Sequence, residues 1–177
     1  MPDISRQRWN IDFDVAKSMR YHAYRRSFFE TADRIAKILT LISGMAAFAT
    51  LIAWGQTFGL IATGVVSVVA AIDIVVGFSQ KALRHDHLYR DFSMLSQDIA
   101  RTLTPTPEDV GGWVVRRREI EMREPGIIDL LERRCAGEEA AARGAELNEL
   151  WKLKRWEIVL SQFVFWPTLR PASPEAT

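Results

Sequence analysis

The chain has 177 residues, with 23 Lys and Arg against 22 Asp and Glu, a net charge of +1 and one cysteine. This length predicts one domain of ordinary size, and the balanced charge provides no global attraction to nucleic acid. The single Cys135 excludes an intrachain disulfide. We therefore expect partners to be recognised locally, and no nucleic acid among them.

Residues 1–37 are predicted to form an N-terminal cytosolic helix. They carry eight basic and five acidic side chains and no apolar core of a secretory signal peptide, so none is expected. Apolar and aromatic residues recur every three or four positions, which predicts a buried stripe along this helix. The stripe consists of Tyr21, Tyr24, Phe28, Ala32 and Ile35.

The 41 positions after residue 37 contain only one charged residue, Asp73. Residues 38–54 and 60–78 comprise 17 and 19 residues, enough to cross about 30 Å of hydrocarbon at about 1.5 Å per helical residue. Residues 55–59, GQTFG, predict a tight outer turn. We expect an all-α membrane protein with a two-helix transmembrane hairpin extended into a cytosolic helical bundle; the alternative is a soluble bundle that buries both helices.

Basic residues lie on one side of the two predicted spans, and the turn at 55–59 has none. Because basic residues remain on the cytoplasmic side of a membrane, both termini are predicted to be cytoplasmic. The flanking basic residues are Arg20, Arg25, Arg26, Arg34 and Lys37 before the first span, and Lys81, Arg84 and Arg90 after the second.

Each predicted span has one face of small and polar residues, which suits contact with other helices or water better than contact with lipid. In the second span this face recurs at alternating spacings of about four and three. We expect these positions to line a pore or pack between helices: Gly59, Thr63, Val66, Ala70, Asp73 and Gly77, with Thr40, Ser43 and Thr50 in the first span.

Asp73 is predicted to lie about 7 Å inside the inner membrane boundary. A carboxylate costs roughly 2.5–3.5 kcal/mol at the bilayer centre, and somewhat less here, unless it is paired, hydrated or protonated. One interpretation is an ion pair with Lys37. The other is a ring of carboxylates along a water-filled path, which two helices per chain could form only in a homo-oligomer.

Residues 79–104 are predicted to continue as a cytosolic helix, with a buried stripe at Leu88, Phe92, Leu95, Ile99 and Leu103. A C-terminal cytosolic helical region follows over 105–170, and 171–177 read as a disordered tail.

Within the C-terminal region, Thr106 and Asp109 have the spacing of a capping box and predict a helix that runs to Glu124. Short helices are expected at 127–135 and 138–143, separated by Gly137. A long helix is expected from 145 to about 166. Its apolar end either lies in the inner membrane interface or packs on the bundle.

No catalytic residue, metal site or cofactor is predicted, and we expect no enzyme. Histidines two apart in the stretch 84–87 point in different directions on a helix, which favours surface or interface positions over a metal site. His22 has no visible catalytic partner, and Cys135 is expected to be a buried or bystander thiol. The basic run 116–118 is interpreted as a solvated face, or second as a contact with anionic lipid headgroups.

Several segments, taken in order, resemble the SLATT family of two-helix membrane proteins. The stretches MRYHAYRRSFFE (19–30) and HDHLYRDFSML (85–95) are similar to the helices before and after the membrane hairpin in that family. EIEMREP (119–125) and CAGE (135–138) are similar to a later segment. Where the family has Cys-His-Asn-Glu, this chain has Ala136 and Gly137 in the two middle positions.

The resemblance implies an effector in the bacterial inner membrane that is triggered in a conflict or antiphage response and then oligomerises to form a pore or perturb the membrane. The implied partners are the lipid bilayer, further copies of the chain and a cytosolic regulatory or signalling protein. The alternative function is a non-conducting, membrane-anchored scaffold or sensor whose cytosolic helices bind a partner protein.

Overall fold

The structure is a computed structural model that describes residues 3–53 and 56–145. Five α-helices and no strand lie in this part of the chain, as the all-α prediction requires. The predictions for a helix at 145–166 and for a tail at 171–177 lie outside the described residues, except for residue 145. The helices are α1 (Ile4–Ala53), α2 (Gln56–Val76), α3 (Phe78–Arg101), α4 (Pro107–Glu121) and α5 (Asp129–Ala142).

Helix α1 is uninterrupted across position 37, where the cytosolic and membrane segments were predicted to meet. It comprises 50 residues, a length of about 75 Å. Its buried positions Val15, His22, Phe29 and Ala36 are spaced by seven residues, the repeat that keeps one face of a helix turned toward a partner helix. The predicted stripe was therefore displaced by about one position: Tyr21 is buried, but Ile35 is 53% exposed.

The predicted continuous helix through residue 78 is wrong at Gly77. This residue has a φ of +60° and separates α2 from α3. A left-handed backbone conformation costs little only in glycine, because a side chain would be too close to the following carbonyl oxygen. The helix therefore stops and restarts at this residue.

The capping box at Thr106 and Asp109 is confirmed. The Thr106 hydroxyl accepts a hydrogen bond from the Asp109 N–H at 3.2 Å, and Asp109 accepts one from the Thr106 N–H at 2.8 Å. The bonds that the Thr106 N–H and hydroxyl donate to the Asp109 carboxylate hold the pKa of Asp109 below its ordinary value. Helix α4 then ends at Glu121, three residues before the predicted end.

One helix, α5, replaces the two short helices predicted between 127 and 143. Gly137 does not interrupt it and is buried within it, since one glycine costs a helix only about 1 kcal/mol. Gly144, with a φ of +81°, does follow the helix end, in accord with the break expected there.

The described chain divides into two compact units. The first, here called the bundle unit, contains residues 3–23 and 87–145, and the second, the hairpin unit, contains residues 24–53 and 56–86. The bundle unit has an apolar core to which α1, α3 and α4 contribute. Four of the five residues of the predicted α3 stripe are buried there, and only Leu103 is exposed. The core residues are Ile11, Val15, Leu88, Phe92, Leu95, Ile99, Val110, Trp113 and Ile120.

The hairpin unit is held by aromatic contacts between α1 and α3. The Phe29 and His85 rings stack with centroids 5.6 Å apart, and both side chains are buried. Arg26 donates to Asp86 at 2.7 Å in the same region. These contacts make α1 and α3 antiparallel neighbours within this unit.

None of the five helices, within the residues that the structure describes, combines the length and apolar character needed to cross a membrane. The side chains of residues 46–53, 56–60, 62, 69 and 72–74 lie outside the described part.

Candidate functional site

Large apolar side chains are exposed on both helices of the hairpin unit in the stretch predicted to meet lipid. Leu41 and Met45 of α1 are 66% and 67% exposed, and Ile61 and Val75 of α2 are 63% and 84% exposed. Exposed apolar surface on this scale is typical of a membrane or protein interaction site. We call the following set the apolar belt: Ile38, Leu39, Leu41, Ile42, Met45, Ile61, Val65, Val68 and Val75.

Several positions of the predicted packing face are less exposed than the neighbouring belt residues. Thr40 and Ser43 of α1 are half-buried, and so are Val66 and Ala70 of α2. Thr63, predicted to lie on the same face, is exposed. The belt and most of this face therefore lie on different sides of their helices.

Two hydroxyl groups in this region are satisfied within their own helices. The Thr40 hydroxyl donates to the carbonyl of Ala36 at 2.9 Å, and the Ser67 hydroxyl donates to the carbonyl of Thr63 at 2.9 Å. Such internal bonds let a polar side chain remain in surroundings that offer no water.

The exposure and contacts of three predicted site residues lie outside the described part of the structure: Gly59, Thr50 and Asp73. Their backbones belong to α1 or α2. Gly77, the last residue of the predicted face, is half-buried at the break between α2 and α3.

Lys37, the predicted ion-pair partner of Asp73, contacts another carboxylate. Its Nζ donates to Asp33 Oδ2 at 2.7 Å, one helical turn earlier on α1. The pairing of Lys37 with Asp73 remains a prediction, since the Asp73 side chain is not described.

Basic side chains surround the stacked rings of Phe29 and His85. The Arg25 guanidinium lies 4.4 Å from the Phe29 ring centroid, and Lys81 Nζ lies 5.8 Å from it. Cations over an aromatic face gain roughly 0.5–1 kcal/mol at exposed sites. We call Arg25, Phe29, Lys81 and His85 the aromatic collar of the hairpin unit.

In the bundle unit, His22 is fully buried and contacts Glu124. Its Nε2 lies 2.9 Å from Glu124 Oε1, and its ring stacks on Phe92 with centroids 5.6 Å apart. The Tyr21 hydroxyl accepts the N–H of Ile128 at 3.1 Å. A buried polar group is costly unless hydrogen-bonded, so these bonds anchor the segment between α4 and α5 to α1.

Ion pairs also join α1 to α5 in the bundle unit. Lys17 donates to Glu132 at 2.8 Å, and Arg20 donates to Glu139 at 2.7 Å. Arg143 donates to Glu139 at 2.8 Å and to Asp12 at 2.9 Å. Burial alone would raise the pKa of Glu139, but the bonds from Arg143 and Arg20 outweigh it and lower this pKa.

An open cleft of about 530 Å³ lies beside these pairs in the bundle unit. Its walls include Lys17, Arg117, Glu121 and Glu124. Burial raises the pKa of Glu121 despite the nearby Arg117. Across the described ranges 3–53 and 56–145, no group of three or more His, Cys, Asp and Glu side chains could hold a metal ion.

The remaining predictions about reactive and basic residues have mixed outcomes. Cys135 is fully buried, as expected, and burial raises the pKa of its thiol to about 12. Arg116 contacts Asp98, and Arg117 contacts Asp14, so two of the three residues in the basic run join helices rather than forming only a solvated face. Arg118 is exposed.

The sequence interpretation missed the two buried histidines. The sequence indicates no catalytic partner for His22 and predicts a surface or interface position for His85, whereas both rings are buried and each stacks on a phenylalanine inside its unit. The seven-residue spacing of Val15, His22 and Phe29 could have shown that His22 occupies a core position. His85 and the exposed His87 do point in different directions, as predicted.

No known protein family matches the chain, and no curated protein or solved structure does so either.

Proposed function

We propose that the chain is a membrane effector whose hairpin unit inserts into the bacterial inner membrane and whose copies assemble to form a pore or perturb the bilayer. The observation that carries this proposal is the apolar belt, whose nine large side chains are exposed on two successive helices. Burying an apolar side chain of this size stabilises a protein by about 1.5–3 kcal/mol. Lipid supplies that burial along the whole belt.

The charge pattern supports the same placement. The aromatic collar and the basic residues near it stand at the ends of the apolar stretch, where cationic and aromatic side chains meet headgroups. The predicted outer turn at 55–59 has no basic residue, although the structure places residues 56–59 in the first turn of α2 rather than in a turn between helices. Both termini are therefore proposed to be cytoplasmic, together with the bundle unit.

Assembly follows from the number of helices. Two helices in one chain cannot enclose a water-filled path, so conduction needs several copies. The half-buried positions Thr40, Ser43, Val66 and Ala70 are proposed to face other helices, while the belt faces lipid. The resemblance to SLATT proteins supports an effector that a cytosolic partner triggers.

Ala70 and Ala71 provide a matched test of this proposal. Ala70 is half-buried and its neighbour Ala71 is exposed. We expect Ala70→Leu to change the collapse of membrane potential that follows induced expression, because the added side chain enters the helix-packing face. Ala71→Leu should not change it, since that position faces lipid.

The potential is followed with a voltage-sensitive dye in cells that accumulate equal amounts of each variant in the membrane fraction. A protein that never depolarises cells, with or without triggering, is instead a non-conducting scaffold. Equal effects of Ala70→Leu and Ala71→Leu would contradict the proposed packing face.

A further inference from the structure

We propose that the outer face of α4 is a self-association surface, at which two copies of the chain pair antiparallel about a two-fold axis. This inference deepens the proposed function, because it assigns to the bundle unit one of the contacts that an assembled effector needs. It rests on four observations about α4 that the packing of residues 3–53 and 56–145 does not explain.

Helix α4 is firmly fixed through one side only. Val110, Trp113 and Ile120 are buried in the core of the bundle unit. The opposite side is exposed at Gly112 and Val115, and Met122, just past the helix end, is 78% exposed. The middle of the outer face therefore consists of small and apolar groups, with charged residues toward its two ends.

Two adjacent glycines occupy the interior of this helix. A β-carbon added to Gly111 or Gly112 would meet nothing within 4 Å, so no contact among the described residues requires their small size. Glycine is the poorest helix former after proline. Small residues in a helix allow the backbone of another helix to approach closely, which indicates a partner other than the helices described above.

The charge pattern of this face is complementary to the same face on a second copy. Glu108 and Arg118, both exposed, each stand five residues from Trp113 in opposite directions. A two-fold axis at the level of Trp113 would pair Glu108 of one copy with Arg118 of the other, twice in the dimer. A surface that pairs with its own copy about such an axis has to match itself in this way.

The same axis also matches the shapes of the two faces. Gly111 and Val115 each stand two residues from Trp113, so each valine would enter the gap above a glycine of the other copy. A contact of about 22 Å of helix on each side is small, and it suffices because membrane anchoring raises the effective concentration of the copies. The partner that fits is therefore a second copy.

Energy transfer between labelled copies of the full chain in liposomes of phosphatidylethanolamine and phosphatidylglycerol tests this surface. Gln97 is exposed on α3, so Gln97→Cys accepts a donor or an acceptor dye, whereas Cys135 is buried. Glu108→Arg or Arg118→Glu alone places like charges together twice in the dimer. We expect each to weaken association about tenfold, since each of the two pairs changes from attraction to repulsion, and the double reversal to restore it.

Gly111→Leu offers a second test, because it should reduce energy transfer without lowering the helical circular dichroism or the thermal midpoint of the chain, since leucine is the better helix former. Arg101→Glu, an equal change of charge at an exposed position on α3, is the control and should have no effect. Absence of transfer in the parent protein, or transfer that ignores both charge reversals and Gly111→Leu, would overturn the inference.

The outcome separates this inference from the proposed function. If cells depolarise but energy transfer does not respond to the α4 variants, the effector function stands and the α4 contact is wrong. If energy transfer responds to the charge reversals but the protein never depolarises cells, the α4 contact stands and the effector function is wrong.

Discussion

The two units of the chain differ in the side chains that lie on their surfaces. In the bundle unit the charged side chains contact one another between helices, as Lys17 does with Glu132 and Arg20 with Glu139. In the hairpin unit the exposed positions between 38 and 75 include nine large apolar side chains. The bundle unit also exposes scattered apolar side chains, such as Met94 and Leu103, whereas those of the hairpin unit follow one another along α1 and α2, a pattern typical of an interaction surface.

The average composition of the chain does not reveal this difference between the units. The charges nearly cancel over 177 residues, yet the segment from 38 to 78 contains only one of them. What distinguishes the hairpin unit is therefore where apolar side chains are exposed, rather than how many there are.

A charge placed in the apolar belt should have the largest effect, which is on membrane integration. We expect the double variant Leu41→Arg and Val68→Arg to lose membrane integration, because an arginine costs about 2.5–3.5 kcal/mol near the centre of a spanning helix, where Val68 is predicted to lie, and somewhat less at Leu41, nearer the end of its span. Met94→Arg, at an exposed apolar position of the bundle unit, should integrate normally. The measurement is the fraction of protein that remains with membranes after an alkaline wash. Equal retention of both variants would remove the distinction between the units.

A cavity in the core of the bundle unit should lower the free energy of unfolding rather than change membrane integration. Phe92 is fully buried and stacks on His22, so Phe92→Ala should lower the free energy of unfolding by about 3–5 kcal/mol. Denaturant titration in detergent, followed by circular dichroism, measures this change. Phe92→Leu should cost distinctly less. A loss below 1 kcal/mol for the alanine variant would mean that this core does not hold the unit.

Loss of the buried contact between His22 and Glu124 should have the next largest effect on the free energy of unfolding. Glu124→Ala removes the partner of a buried ring nitrogen and should cost about 1–3 kcal/mol of unfolding free energy. Glu124→Gln keeps a hydrogen-bonding group of similar shape and should cost less. The same titration compares the two variants, and an equal cost for both would indicate that the hydrogen bond contributes nothing.

The smallest expected effect is a dependence on pH in the α1–α5 contact. Because the pKa of Glu139 is lowered below its ordinary value of 4.5, ionised Glu139 stabilises the folded chain above pH 4.5. That stability is lost as the pH falls through the lower, folded-state pKa. Glu139→Gln should therefore reduce the thermal midpoint at pH 6 and flatten its fall between pH 5 and pH 3, scanned in buffers of equal ionic strength. An unchanged slope would show that Glu139 does not contribute.

Local sequence chemistry predicted several parts of this fold. The Thr106–Asp109 capping box fixed the start of α4 because both partners are close in sequence. Four positions of the α3 stripe were also correct, since all of them are apolar and regularly spaced. These features depend on neighbours within one helix.

The features that sequence missed depend on distant partners or on backbone conformation. His22 lies in the core because Phe92 and Glu124, far away in sequence, surround it. A glycine does not reveal whether it interrupts a helix, as Gly77 does, or continues one, as Gly137 does. For the candidate site, the sequence indicated the apolar stretch, whereas the separation of exposed Leu41 from half-buried Thr40 needed coordinates.

The most direct measurement concerns the surroundings of the belt itself. A nitroxide label is attached through Val68→Cys, or through Gln97→Cys in the bundle unit, in full-length protein reconstituted in liposomes; the native Cys135 is buried and has a thiol pKa of about 12. We predict that the label at 68 relaxes faster with oxygen, which concentrates in lipid, and the label at 97 with a water-soluble nickel chelate. Equal, strong relaxation of both labels by the nickel chelate would contradict insertion of the hairpin unit.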